Sequence, residues 1–281
     1  MEPFDLFPFV SEIKSDLDKF FKLIMNAKRV TLVAEPKLNQ LLSLSFLEAS
    51  FLDHGILYNR KLVEDTNSKI VLEDNLHIFF NLTSLNGEIV KVIESKEINI
   101  PLGENKKNRV GRLDIVGFSA CLALMIGGSR VNRLLPLILA GNWLRENLDF
   151  TYDPVFTALR DTLRKKGEIS VVTIAEVSEL DLIELPGIDS IELNNLKNSW
   201  NKIDLEEQSI RLSEIVKPLL KSSIGVARLE ELIWHRVITE NWNSDLASQC
   251  SKVQRELRSS SQKLVSGSRL VDEVIRTGVI S

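Results

Sequence analysis

Three side chains of different chemistry alternate in the stretch TLVAEPKLNQLL, residues 31–42: Glu35, Lys37 and Asn39. The stretch reads as a strand opening through a loop into a helix, the place where α/β enzymes put their chemistry. A carboxylate, an ammonium and an amide at alternate positions nevertheless match no catalytic set. The remaining candidates are scattered. His77 falls inside a strand and His235 lies beside Trp234 in an amphipathic helix, so both read as packing rather than ligation. Asp53-His54-Gly55 sits at a helix end, where a capping role is the simpler account. A Ser–His–Asp or Cys–His triad would need a tertiary coincidence that the sequence does not signal.

Phosphate chemistry fares little better. The segment PLGENKKNRVGR, residues 101–112, is a polar, basic loop in this reading, without the GK[ST] ending of a P-loop. Its Lys106, Lys107, Arg109 and Arg112 are candidates for a nucleic-acid backbone, or else simply a solvated loop. Residues 184–196, ELPGIDSIELNNL, resemble the LPGIG turn of helix-hairpin-helix DNA-binding modules. Asp189 stands where that motif has its second glycine and would repel a phosphate, which favours a plain connection between helices.

The elements that position these groups follow from periodicity. Ser11 is the expected cap of a first helix carrying Ile13, Leu17, Phe20, Phe21 and Ile24 on one face. Residues 29–34 read as the first strand and 37–54 as a long apolar helix closed by Gly55. Short strands are expected at 56–63, 69–72 and 76–82, and β-type alternation at 87–100. Helices are expected at 117–128, at 133–146 with Pro136 in the first turn, and at 154–166, with a strand at 169–174. Beyond residue 178 the pattern is mainly helical: 191–200, 206–220, 225–239 and 244–260. The expected architecture is α/β: a parallel sheet wrapped by helices over residues 1–175, and a mainly helical C-terminal region over 176–281.

Bulk composition narrows the classes. The chain has 281 residues, 44% hydrophobic and 26% charged, which is ordinary for a globular protein. A net charge of −4 gives no general attraction for nucleic acid or acidic lipid, so any such contact must be local. Cys121 and Cys250 are too few and too distant to frame disulfides or a zinc knuckle. The start MEPFDLFPFVSEIK lacks the features of a signal peptide, and no apolar run approaches the ~20 residues that span a bilayer. A cytoplasmic address is therefore the expectation.

Residues 29–47, RVTLVAEPKLNQLLSLSFL, resemble the first motif of the DHH phosphoesterase superfamily, which includes the RecJ nucleases. Glu35, Lys37 and Asn39 fall where that family has Asp-x-Asp-x-Asp metal ligands, and Gln40 where it has glycine. The strand LHIFFNLTS, residues 76–84, is similar to the one delivering a further aspartate, with Asn81 in that place. Glu94-Ser95-Lys96-Glu97 stands where the name-giving Asp-His-His should follow, and residues 117–128 resemble the helix after it. The resemblance covers roughly residues 29–150 in order and pattern.

It implies a family fold whose ligands have been replaced. Two Mn²⁺ or Mg²⁺ ions require several carboxylates and imidazoles, which neutral amides do not replace, and Lys37 puts a cation where a metal should be. No metal, no cofactor and no catalysis are therefore expected. Within the superfamily the pattern is most similar to the branch of cell division control protein forty-five and its archaeal RecJ-like counterparts. That branch implies a nucleoid-associated scaffold of the replicative helicase, with the GINS complex and the MCM helicase as partners and single-stranded DNA as a further contact. Phe4, Phe7, Phe9, Trp234 and Trp242 are the partner-binding candidates. The competing readings are a metal-dependent nuclease using Glu35 with Asp74 or Asp114, and a nucleic-acid module using the basic loop.

Overall fold

The computed structural model describes residues 2–65, 72–80, 87–102, 107–144, 153–182, 185, 187–221 and 226–281. A short helix α1 (Pro3–Leu6) and a 3₁₀ stretch (Pro8–Ile13) lead into α2 (Lys14–Asn26). Ser11 lies inside the 3₁₀ stretch and donates its hydroxyl to the Pro8 carbonyl at 2.7 Å, so it is not the expected cap. Next come β1 (Val30–Ala34), α3 (Leu38–His54), β2 (Tyr58–Leu62), β3 (Leu76–Phe80) and β4 (Val90–Ile93). Among the described residues these strands form a parallel sheet in the order β2-β1-β3-β4, with Val30 opposite both Tyr58 and Leu76. The strand expected at 69–72 lies almost wholly outside the described residues.

The segment expected as one alternating run splits between β4 and β5 (Lys96–Leu102), which belong to different sheets. β5 forms an antiparallel pair with β6 (Lys107–Leu113), so the described residues of the expected basic loop, 101–102 and 107–112, lie in paired strands. Next are α4 (Ile115–Ile126), α5 (Ser129–Leu134), a 3₁₀ stretch (Leu135–Leu139) and α6 (Ala140–Trp143). The single helix expected at 133–146 is thus broken. The helix starts earlier, at Ser129, which puts Pro136 past its first turn, where its missing N–H interrupts the α ladder.

The chain continues through α7 (Pro154–Lys165), β7 (Ser170–Val172), α8 (Ser190–Ser199), α9 (Leu205–Val216), α10 (Val226–Trp234), β8 (Arg236–Ile238), α11 (Leu246–Ser259) and α12 (Lys263–Thr277). The helix expected to run to 239 stops at Trp234, because Arg236 to Ile238 pair with β7 instead. Among the described residues no helix is long and apolar enough to cross a membrane.

Burial explains the layering. β1 and β3 are buried along their whole length, as parallel strands covered on both faces must be. Every residue of α3 from Leu38 to Phe51 except Asn39 is buried, so this helix occupies the centre. Gly55 ends it in the left-handed conformation, φ 65°, as expected. α3 packs against the sheet on one side and against α4, α5, α11 and α12 elsewhere. Gly267 permits the approach of α12, since a Cβ there would meet Leu41 and Leu62 at 3.3 Å. One apolar cluster runs from Leu6 to Ile280, so residues after 175 share the core of those before it. Val33, Phe79 and Val90 form a smaller cluster apart from it.

Candidate functional site

β1 lies between β2 and β3, so the loop leaving its C-terminal end opens at the topological switch point of the sheet. That loop carries Glu35 and Lys37 into the first turn of α3 and borders a cleft of about 490 Å³. Asn39, Glu64, Arg258 and Lys263 also line the cleft. Glu35 is buried, and its Oε2 lies 2.5 Å from the Lys37 ammonium, whose side chain stays 63% exposed. Gln40 closes the arrangement: its Oε1 accepts from the Glu35 backbone N–H at 2.8 Å, and its Nε2 donates to Glu35 Oε2 at 3.3 Å. Asn39 turns its Oδ1 to the Gln40 N–H at 2.9 Å. Sequence reasoning placed Gln40 only as a glycine replacement; its spacing of five residues from Glu35 was the available signal.

Chemically, this loop presents one carboxylate neutralised by an ammonium and two amides engaged by the local backbone. Lys37 bonds Glu35 rather than reaching free into the cleft. Among the described residues no group of three or more His, Cys, Asp or Glu side chains is placed to hold a metal ion. Asn81 lies outside the described residues.

The carboxylates considered as partners for Glu35 go elsewhere. Asp74 precedes β3, at the end of the sheet opposite Glu35. At ~3.3 Å per residue the register separates them by roughly 20 Å. Asp114 caps α4, its Oδ1 accepting from the N–H groups of Val116 and Gly117 at 2.8 and 2.9 Å. His77 is 1% exposed, with Nδ1 2.9 Å from the Asn75 carbonyl, in keeping with a core histidine.

The basic candidates are divided. Lys106 lies outside the described residues. Lys107, Arg109 and Arg112 are exposed on β6, where strand alternation puts Lys107 and Arg109 on one face and Arg112 on the other. Arg112 is further held by its backbone N–H, 3.2 Å from the Asp153 carboxylate that caps α7.

Of the aromatic candidates, Phe7 is fully buried and cannot form a docking surface; Phe4 and Phe9 are half-buried against the same core. The N-terminal segment closes the core with these rings because Pro3, Leu6, Phe7 and Val10 all turn inward. Trp234 and Trp242 are half-buried too, and Trp242 Nε1 donates to the Gly278 carbonyl at 3.2 Å.

Other ionic groups hold the architecture. Glu48, fully buried in the middle of α3, takes a two-point contact from Arg60 of β2 at 2.6 and 2.7 Å. Arg60 also reaches Asp272 and Ser268 of α12. Burial pushes the Glu48 carboxyl above its usual range, against the pull of Arg60. Asp53 accepts from the backbone and guanidinium of Arg130, so it caps α5 across the fold. Burial would raise its carboxyl, but the Arg130 bonds outweigh it and hold the pKa below the usual value. Cys121 and Cys250 are both buried and form no disulfide, and burial pushes the Cys121 thiol up to about 12, which leaves it inert.

No family model matches the chain, and no curated protein matches it significantly.

Proposed function

We propose that this protein is a non-catalytic, DHH-type subunit that works through protein contacts as a scaffold of a replicative helicase assembly, meeting the GINS complex and the MCM helicase. The supporting observation is the fate of the switch-point loop. Its single carboxylate, Glu35, is buried and bonded by Lys37 and Gln40. A divalent ion there would have to displace an ammonium from 2.5 Å and would meet amides in place of further carboxylates. In this reading the loop keeps the position of a metal site, and the Lys37 ammonium supplies the positive charge that offsets Glu35. The order of elements around it, from β1 through α3 to β2, follows the pattern on which the resemblance rests.

Gel filtration of the chain mixed with GINS subunits from the same cell tests the assembly. Co-elution at micromolar concentration is expected, and clean separation overturns the partner assignment. Incubation with Mn²⁺ and end-labelled single-stranded DNA tests the loss of chemistry. Nucleotide release that disappears in a Glu35→Ala variant overturns it.

A further inference from the structure

Away from the switch point, a groove of about 430 Å³ runs between α2 and the β4 end of the sheet. Its floor is apolar, made by Phe20 and Leu23 of α2 and Val92 of β4, with the fully buried Phe118 of α4 beneath them. Phe20 stacks edge-on against Phe118 at 5.6 Å, which fixes the floor. Leu23 is 37% exposed on the same helix that exposes Met25. The rim is basic: Lys19, Lys22, Lys91 and Lys96 surround the groove against only Asp16 and Glu94. Asp16 is already engaged, 2.8 Å from Lys96 and 3.7 Å from Lys19. Lys22 and Lys91 have no acidic partner among the described residues. In a chain of net charge −4, this is a local excess of positive charge around an oily floor.

Two occupants fit poorly. A nucleic-acid backbone would be served by a polar floor with hydrogen-bond donors, and a small anion would not need an apolar floor. A third observation concerns the strand. β4 ends the sheet, and among the described residues no strand pairs with its outer edge. An extended segment laid there would use main-chain groups and set alternate side chains into the groove. Lysines on an edge strand also discourage self-pairing, but that role needs no adjoining apolar floor.

We propose that this groove docks an acidic peptide segment of a partner protein in extended form. Apolar anchors enter against Phe20, Leu23 and Val92, and flanking Asp or Glu side chains meet Lys22 and Lys91. This assignment is independent of the chemistry at the switch point.

The test is selection of a random dodecapeptide phage library on the purified full chain, followed by anisotropy with the enriched peptides. The expected peptides alternate acidic and apolar residues and weaken as salt rises. They lose affinity about tenfold or more on a Lys22→Glu/Lys91→Glu variant and on Leu23→Ser. Lys22 and Leu23 are exposed and Lys91 is half-buried, and unchanged circular dichroism and melting separate loss of binding from loss of fold. Failure to enrich acidic-apolar sequences, equal binding to the variants, or displacement by an oligothymidine each overturns the proposal.

Discussion

The ammonium of Lys37 lies 2.5 Å from Oε2 of Glu35, one end of the pair exposed and the other buried. This asymmetry predicts unequal effects. Lys37→Met takes the ammonium from a buried carboxylate that keeps its Gln40 bond and should cost about 1–2 kcal/mol, whereas Glu35→Gln leaves a solvated lysine and should cost less than about 1 kcal/mol. Urea unfolding of the two variants measures the difference. Equal, near-zero losses would mean that the pair is a loose surface contact.

Arg60 is the counter-charge of a carboxylate that water does not reach. Arg60→Met should destabilise by about 3–5 kcal/mol, because Glu48 remains in the core with no counter-charge and only the Tyr58 hydroxyl to bond it. Asp272→Asn, on the exposed side of the same guanidinium, should cost less than about 1 kcal/mol. Thermal melts of both variants distinguish an inner from an outer contact.

Gly141 faces the Asp114 carboxylate so closely that an added Cβ would collide with it. Gly141→Ala should therefore force Asp114 off the α4 N-terminus and cost about 2–3 kcal/mol, a lost cap plus strain. In an Asp114→Ala background the same change should cost little. A double-mutant cycle by chemical denaturation reads the coupling.

Glu231 is buried against Arg160, 2.7 Å away, and burial raises its pKa to about 7 despite that partner. The folded state therefore binds its proton more tightly than the unfolded state does, which keeps the usual value of 4.5. This group's contribution falls as pH rises from about 4.5 to 7 and stays lost above, by on the order of 3 kcal/mol. His235, whose pKa burial lowers, acts with the opposite sign as pH falls, so the comparison must be with a variant. Wild type should lose more stability than Glu231→Gln between pH 5 and about pH 7.5, read from melting temperatures.

Lys107 and Arg109 share a face of β6 and Arg112 does not. If single-stranded DNA is a partner, Lys107→Glu/Arg109→Glu should reduce the slope of log affinity against log salt by about 1.4. Arg112→Glu should change it less. Oligothymidine titrations at several salt concentrations measure both.

How much of this was legible beforehand depended on how strongly each segment was patterned. β1 is apolar but for Thr31, α3 carries Leu and Phe on every turn, and with Gly55 after them they declare a strand, a buried helix and its end. β6 reads KNRVGRL, with only Gly111 and Leu113 turned inward, so its strand character comes from pairing with β5 rather than from alternation. β8 was absorbed into a helix because Trp234, His235 and Arg236 continue a helical rhythm until Val237 and Ile238 meet β7. α12 escaped the sequence reading although Leu270, Val271, Val274 and Ile275 are helically spaced, since serines and charges dilute the pattern. At the site, the loop's position was readable and the Glu35–Lys37–Gln40 geometry was not. Which of three polar neighbours bonds which is set by how the chain turns after Ala34.

The placement of α3 has a consequence for synthesis. This helix is made within the first fifth of the chain, yet part of its outer surface is covered by residues 263–277. A nascent chain thus carries this helix with one face uncovered until α12 is made, and until then Arg60 holds Glu48 without its outer partner Asp272. Its final packing must follow translation of α12, and pausing before that point should favour capture by chaperones over spontaneous closure.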